Sequence, residues 1–124
     1  MTGATNPSET SERITIEPCA KRVRAVFNGQ TVAESEHALV MHEAGYPPRA
    51  YFPQADVRMD LLRRTAHTTH CPYKGDAAYW TLAVDGETLE NAAWAYLEPL
   101  PGVAEIAGRL SFIDAVRVEL QSGS

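Results

Sequence analysis

The stretch THCPYKGDAAYW, Thr69 to Trp80, sets the reading of the fold. Pro72 has no backbone N–H and biases Cys71 toward extended backbone. Pro72 to Gly75 then reads as a tight turn, with Gly75 free to take positive φ. Beyond the turn, Ala78 to Val84 alternates as a strand does. Trp80, Leu82 and Val84 fall on one face, and Tyr79, Thr81 and Ala83 on the other. A turn feeding a half-apolar strand presents Tyr73 and Lys74 from a rigid base.

The same stretch holds the chain's one close grouping of imidazole, thiol and ammonium: His70, Cys71 and Lys74. Adjacent residues of an extended segment face opposite ways, so neighbours His70 and Cys71 do not make a dyad by themselves. A reacting member needs a partner from elsewhere in the fold. Each group has two readings. Cys71 is a small buried residue or a nucleophile. His70 is a hydrogen-bonded structural residue or an acid–base group. Lys74 is solvated or anion-binding.

Working upstream, Val23, Ala25 and Phe27 alternate with Arg24 and Val26. Asn28-Gly29 then supplies a primed-turn dipeptide and Thr31 to Glu34 returns, which is a hairpin. Arg22 and Arg24 lie on the opposite face, as an anion-facing pair or a wet face. Ile14 to Glu17 reads as a short strand, and Ala38 to Glu43 as strand or short helix. Arg49 to Phe52 reads as a strand with Arg49 and Tyr51 on one face, a pairing suited to a planar anion or to an internal ion pair. Pro53 to Leu62 predicts a helical turn or two, capped by Asp56, with Asp60 and Arg64 able to pair if the helix reaches that far. Arg63 to Thr69 reads as a polar linker.

Downstream, Asp85-Gly86 is a second hairpin signal. Glu87 to Glu98 is alanine-rich, but the turn before it favours a returning strand. Trp94, Tyr96 and Glu98 then share one face. Gly102 to Ala107 predicts a short helix, and Arg109 to Ile113 and Val116 to Leu120 predict closing strands. About eight strands with one or two short helices predict a mainly β fold, a single small antiparallel β domain over residues 13–120. Residues 1–12 and 121–124 are expected to be a disordered N-terminal tail and a C-terminal tail.

The chain has 124 residues and a formal net charge of −5, a balance that argues against wholesale nucleic-acid binding. No apolar run approaches the roughly 20 residues of a bilayer span. The first residues lack the apolar core of a signal peptide, so the expected location is cytoplasmic. Cys19 and Cys71 fit no CxxC pattern and read as free thiols. His42, His67, His70 and Cys71 lack the spacing of a metal site, and no metal is expected. Phosphate-binding loops, nucleophile elbows and HExxH motifs are absent.

Several segments together resemble the bacterial domain-of-unknown-function 427 family: Arg49 with Tyr51-Phe52-Pro53, Asp56 to Leu62, Thr69 to Trp80, Asn91 to Tyr96, and Glu98-Pro99. The resemblance runs from about Val23 to Val118. It implies a β-rich fold of the Mss4-like or β-tent type. Some relatives in that group bind zinc through paired CxxC motifs, which are missing here, so no metal is carried over. A nucleotidyltransferase-like label is attached to the family, but no carboxylate pair here is spaced like the metal-binding acids of such enzymes. Family members usually carry an aromatic just after the position of Phe112, where this chain has Ile113.

Two functional expectations follow. In the first, Arg49, Tyr51, His70, Lys74, Tyr79, Trp94 and Tyr96 line one pocket for a small anionic ligand, planar or nucleotide-like. Arg49 and Lys74 hold the anion, the aromatics stack, and His70 and Cys71 are the catalytic candidates if there is chemistry. In the second, the protein is a non-catalytic interaction module. The same residues then serve structure, Arg49 pairs with an acid such as Asp76, and an exposed apolar patch or sheet edge binds a partner. The residues name no cofactor and no oligomeric state.

Overall fold

The computed structural model describes residues 13–120; the two expected tails lie outside the described residues. The strands are β1 (Ile14–Pro18), β2 (Val23–Phe27), β3 (Gln30–Ser35), β4 (Leu39–Glu43), β5 (Arg49–Tyr51), β6 (Leu62–Cys71), β7 (Gly75–Val84), β8 (Glu87–Tyr96), β9 (Ser111–Phe112) and β10 (Arg117–Leu120). They form three sheets, ordered β1-β4-β5, β10-β2-β3 and β6-β7-β8-β9, with every pairing antiparallel. The fold is thus mainly β, as the alternation of the sequence predicts.

Both hairpin dipeptides take the left-handed backbone that a primed turn needs. Asn28 and Gly29 have φ of 51° and 78°, and Asp85 and Gly86 have 49° and 85°. The Asn28 side chain donates to the Val84 carbonyl at 3.0 Å, tying the first hairpin to the second. Trp80, Leu82 and Val84 face a core with Val23, Val32, Phe52, Leu110 and Phe112. A second apolar cluster joins Ile14, Met41 and Tyr51 of the first sheet to Ala77 and Tyr96 of the third, over Val103 and Ile106.

The long sheet is irregular on both sides of β7. Arg64 pairs with Trp80 and Thr68 with Ala78, so three residues of β6 oppose Tyr79 alone. Trp80 pairs with Ala93 and Leu82 with Leu89, so three residues of β8 oppose Thr81. Asn91, at φ 51°, holds this double bulge. Its Oδ1 accepts from Thr65 Oγ1 at 2.7 Å, and its backbone N–H donates to Thr81 Oγ1 at 3.1 Å. Such bulges bend a strand and re-aim its side chains.

Several local expectations are corrected. Arg63 to Thr69 is not a linker but most of β6, an edge strand exposed along nearly its whole length. The helical turn or two expected over Pro53 to Leu62 is present as two 3-10 turns, Gln54–Asp56 and Met59–Leu61. Val57 interrupts them by bridging to Ala33, which stops helix propagation. Asp56 does not cap; it accepts from Ser35 Oγ at 2.6 Å. Asp60 pairs with Arg58 rather than Arg64. Two expectations stand: of the two readings for Ala38 to Glu43 the strand is the one formed, and the short helix expected at Gly102 is a 3-10 segment, Pro101–Ile106, with Val103 and Ile106 buried.

Candidate functional site

The first and third sheets face each other across a cleft of about 330 Å³. Alternation puts Met41 and Glu43 of β4 on one face, and Arg49 and Tyr51 of β5 on one face. The register Met41↔Arg49 sets these pairs side by side. Tyr46 and Pro47, from the loop between the two strands, extend this wall. The opposite wall carries Cys71, Lys74, Tyr79, Trp94 and Tyr96. There the register Tyr79↔Trp94 and Ala77↔Tyr96 brings β7 and β8 aromatics together.

Lys74 is delivered by the turn read from the sequence. Its N–H donates to the Cys71 carbonyl at 3.2 Å, and its carbonyl accepts from Leu100 N–H at 3.0 Å. Gly75, at φ 112°, lies against the backbone of residues 98–100, where a side chain would be strained. The lysine stem is therefore buried, and its ammonium reaches Glu43 Oε1 at 2.5 Å, with the two side chains 10% and 12% exposed. It lies 5.9 Å from the Tyr96 ring centroid. A charge pair this sheltered needs its partner, because either charge alone would be desolvated without compensation.

Arg49 sits differently. Its guanidinium lies 5.4 Å from the Trp94 ring centroid, donates to the Phe112 carbonyl at 3.2 Å and pairs with Asp114 at 2.8 Å. Asp114 is 86% exposed. Such a solvated partner holds an arginine by about 0–1 kcal/mol. Trp94 donates its indole N–H to Tyr51 Oη at 3.3 Å. Burial pushes the Tyr51 phenol up to about 12, and burial likewise raises Tyr96. Both hydroxyls stay protonated over the physiological range. Tyr79 Oη is bonded to Thr69 Oγ1 at 3.0 Å.

Of the residues singled out from the sequence, Arg49, Tyr51, Cys71, Lys74, Tyr79, Trp94 and Tyr96 line this cleft, and His70 does not. His70 alternates to the outer face of β6, where Nδ1 meets Asp76 Oδ1 at 2.7 Å in a separate depression of about 420 Å³ with Leu97 and Leu100. Asp76 is thus the histidine's partner, not that of Arg49. The other histidines are dispersed as well. His42 pairs with Glu17 at 3.0 Å, and His67 packs edge-on against Tyr79. Cys19 and Cys71 are free thiols. Among the described residues, no three His, Cys, Asp or Glu side chains gather as a metal set.

The sequence reading missed Glu43, Met41, Tyr46 and Pro47. With Ala38 to Glu43 left between strand and helix, no face could be assigned to Glu43. Ile113 also lines the cleft, at the position where the family resemblance expects an aromatic.

These features define a class: a small antiparallel β domain with an aromatic-walled cleft between two sheets and a buried lysine–glutamate pair inside it. Residues 15–122 match the family described as Domain of unknown function (DUF427), and the chain belongs to that family. Comparison with curated proteins gave no match. Among the described residues, no helix is long and apolar enough to cross a membrane.

Proposed function

We propose that the cleft binds a small, flat ligand carrying one anionic group. The observation that carries this reading is the difference between its two cations. Lys74 is neutralised inside the cleft by Glu43, whereas Arg49 has a partner that water already solvates. An incoming carboxylate or phosphate can replace Asp114 on the guanidinium at little cost and gain a charge-assisted, planar contact. The ring of such a ligand fits against Trp94, Tyr46 and Tyr79, and a volume near 330 Å³ suits a single ring system rather than a long substrate. His70 has no part in this reading, because its ring lies on the outer face. Cys71 remains beside the ligand as the one thiol available to any chemistry.

The test is intrinsic fluorescence titration with single-ring aromatic carboxylates and aryl phosphates. Saturable quenching is expected, weakened about tenfold or more by Arg49→Ala, the scale of one lost hydrogen bond to a charged group. Arg63→Ala, on the exposed edge strand, should leave the curve unchanged. Absence of saturation with both probe sets sinks the reading.

A second reading, a protein-interaction module, has one observation in its favour. Leu97 and Leu100 are 40% and 41% exposed and share the outer depression with His70 and Asp76. Replacing both leucines by serine would then abolish partner association and spare the cleft titration.

A further inference from the structure

The edge of a β-sheet presents unpaired backbone N–H and C=O groups, and the edges of these three sheets are treated differently. The outer edge of β3 is covered, because Val57 bridges to Ala33 and the Arg58 N–H donates to the Val32 carbonyl at 2.8 Å. β5 and β9 close on each other through the Phe52–Leu110 bridge and the bond from Ser111 Oγ to the Ala50 carbonyl. Among the described residues, β1, β6 and β10 each pair on one side only. β6 is bulged and carries Arg63, Arg64, His67 and His70 with no acid, so it repels a strand like itself. β1 ends at Pro18, and its Ile14 and Ile16 are buried and half-buried.

β10 differs from both. Its register places Val118 opposite Ala25 and Leu120 opposite Val23, and cross-strand partners share a face. Ala25 and Val23 are fully buried core residues, yet Val118 is 43% and Leu120 60% exposed. The apolar row of β10 thus carries the core face of its sheet out to the edge and stops there uncovered. Among the described residues, no other edge strand leaves large apolar side chains exposed in this way. The opposite face of β10 carries Arg117 and Glu119, paired with each other at 2.7 Å and 71% and 35% exposed.

We propose that β10 is a self-association edge whose partner is β10 of a second copy of this chain. The run Arg117-Val118-Glu119 is self-complementary in antiparallel pairing. A two-fold axis at Val118 sets Val118 against its own copy, and each Arg117 against the partner's Glu119. The axis stands perpendicular to the sheet, so the apolar rows of both copies fall on one side. On the other side two arginines and two glutamates alternate, each arginine meeting one acid on its own strand and one across the axis. An axis centred on Glu119 would instead set like charges opposite each other. Two three-stranded sheets then join as one of six strands, and the open edge disappears. The proposal stands apart from the ligand reading, since no residue of β10 lines the cleft.

The experiment is sedimentation velocity of the full chain over a range of concentrations. One added strand pair is a small interface, so a monomer–dimer equilibrium with a dissociation constant on the order of 10–100 µM is expected. Arg117→Glu and Glu119→Arg each bring like charges together across the axis, and each should weaken the dimer about tenfold or more. The decisive sample is the two single variants mixed in equal amounts. Two acids on one strand then meet two arginines on the other, and the mixture should dimerise about as tightly as the native protein. Arg117→Glu combined with Glu119→Arg in one chain restores the opposition and should dimerise as well. A native protein still monomeric at about 500 µM overturns the proposal. So does a dimer indifferent to both single variants, which puts the contact on another face, such as that of Leu97 and Leu100. A mixture that associates no better than its components overturns it too. Should a single variant misfold, the native protein and the doubly reversed chain decide.

Discussion

Tyr51 is 1% exposed, packs with Ile14, Met41 and Tyr96, and still borders the cleft. Burial is the main reason its phenol is pushed up to about 12. The consequence has a sign that can be worked out. Below an ordinary tyrosine value near 10 the phenol is protonated both folded and unfolded, and the stability it contributes is fully present. Above that, the unfolded chain gives up the proton first, so stability falls with rising pH until the folded value is passed. Between pH 9 and 11.5 this amounts to about 2 kcal/mol. Urea denaturation at the two pH values should therefore show a larger alkaline loss for the native protein than for Tyr51→Phe. Equal losses would mean that Tyr51 is not held neutral by the fold. Residue chemistry of this kind was partly legible beforehand. The alternation of Arg49-Ala50-Tyr51 put arginine and tyrosine on one face, but nothing local showed that Glu43 would take Lys74.

At the scale of elements, the strands that were legible are those with a buried face. β2, β3 and β7 announce themselves through Val, Phe, Trp and Leu at alternate positions and through Asn-Gly and Asp-Gly turns. β6 was misread because Leu62 to Cys71 has charged, polar and small residues on both faces. It is an edge strand held by its backbone ladder to β7, and a ladder leaves no hydrophobic pattern to read. The double bulge was equally hidden, since its signal is a single residue, Asn91, inside an alanine-rich run. That residue gives a signed prediction. Asn91→Gly loses the side-chain bond to Thr65 but keeps an easy left-handed backbone. Asn91→Ala loses the same bond and adds roughly 1 kcal/mol of left-handed strain. Thermal or urea unfolding should rank native above Gly above Ala, with the Ala variant down about 2 kcal/mol. An Ala variant as stable as the Gly variant would show that the backbone at 91 relaxes, and that the bulge is not pinned there.

Across the whole molecule, the first and third sheets are held together around the cleft by a few specific contacts. Ser111 Oγ donates to the Ala50 carbonyl at 2.9 Å, Arg49 donates to the Phe112 carbonyl, and Trp94 donates to Tyr51. Among the described residues, the Lys74–Glu43 pair is the one charged tie of this kind with both side chains nearly buried. Its energetics separate structure from function. Lys74→Met removes the ammonium and leaves the Glu43 carboxylate desolvated without a counter-charge, which should cost about 3–5 kcal/mol in urea unfolding. Lys74→Met with Glu43→Leu removes both charges, and at least half of that loss should return, because a well-packed apolar pair is often as stable as a buried ionic one. If the fold can do without the pair in this way, the pair's place in the cleft needs another reason. The proposed site supplies one: the pair withdraws Lys74 from anion binding and leaves that task to Arg49. The double variant should then keep its fold and still bind flat anions through Arg49, as fluorescence titration would show. A single-variant cost below about 1 kcal/mol would place the pair with exposed ion pairs. Lys74 would then be as available to an anion as Arg49, and the contrast between the two cations would lose its physical basis.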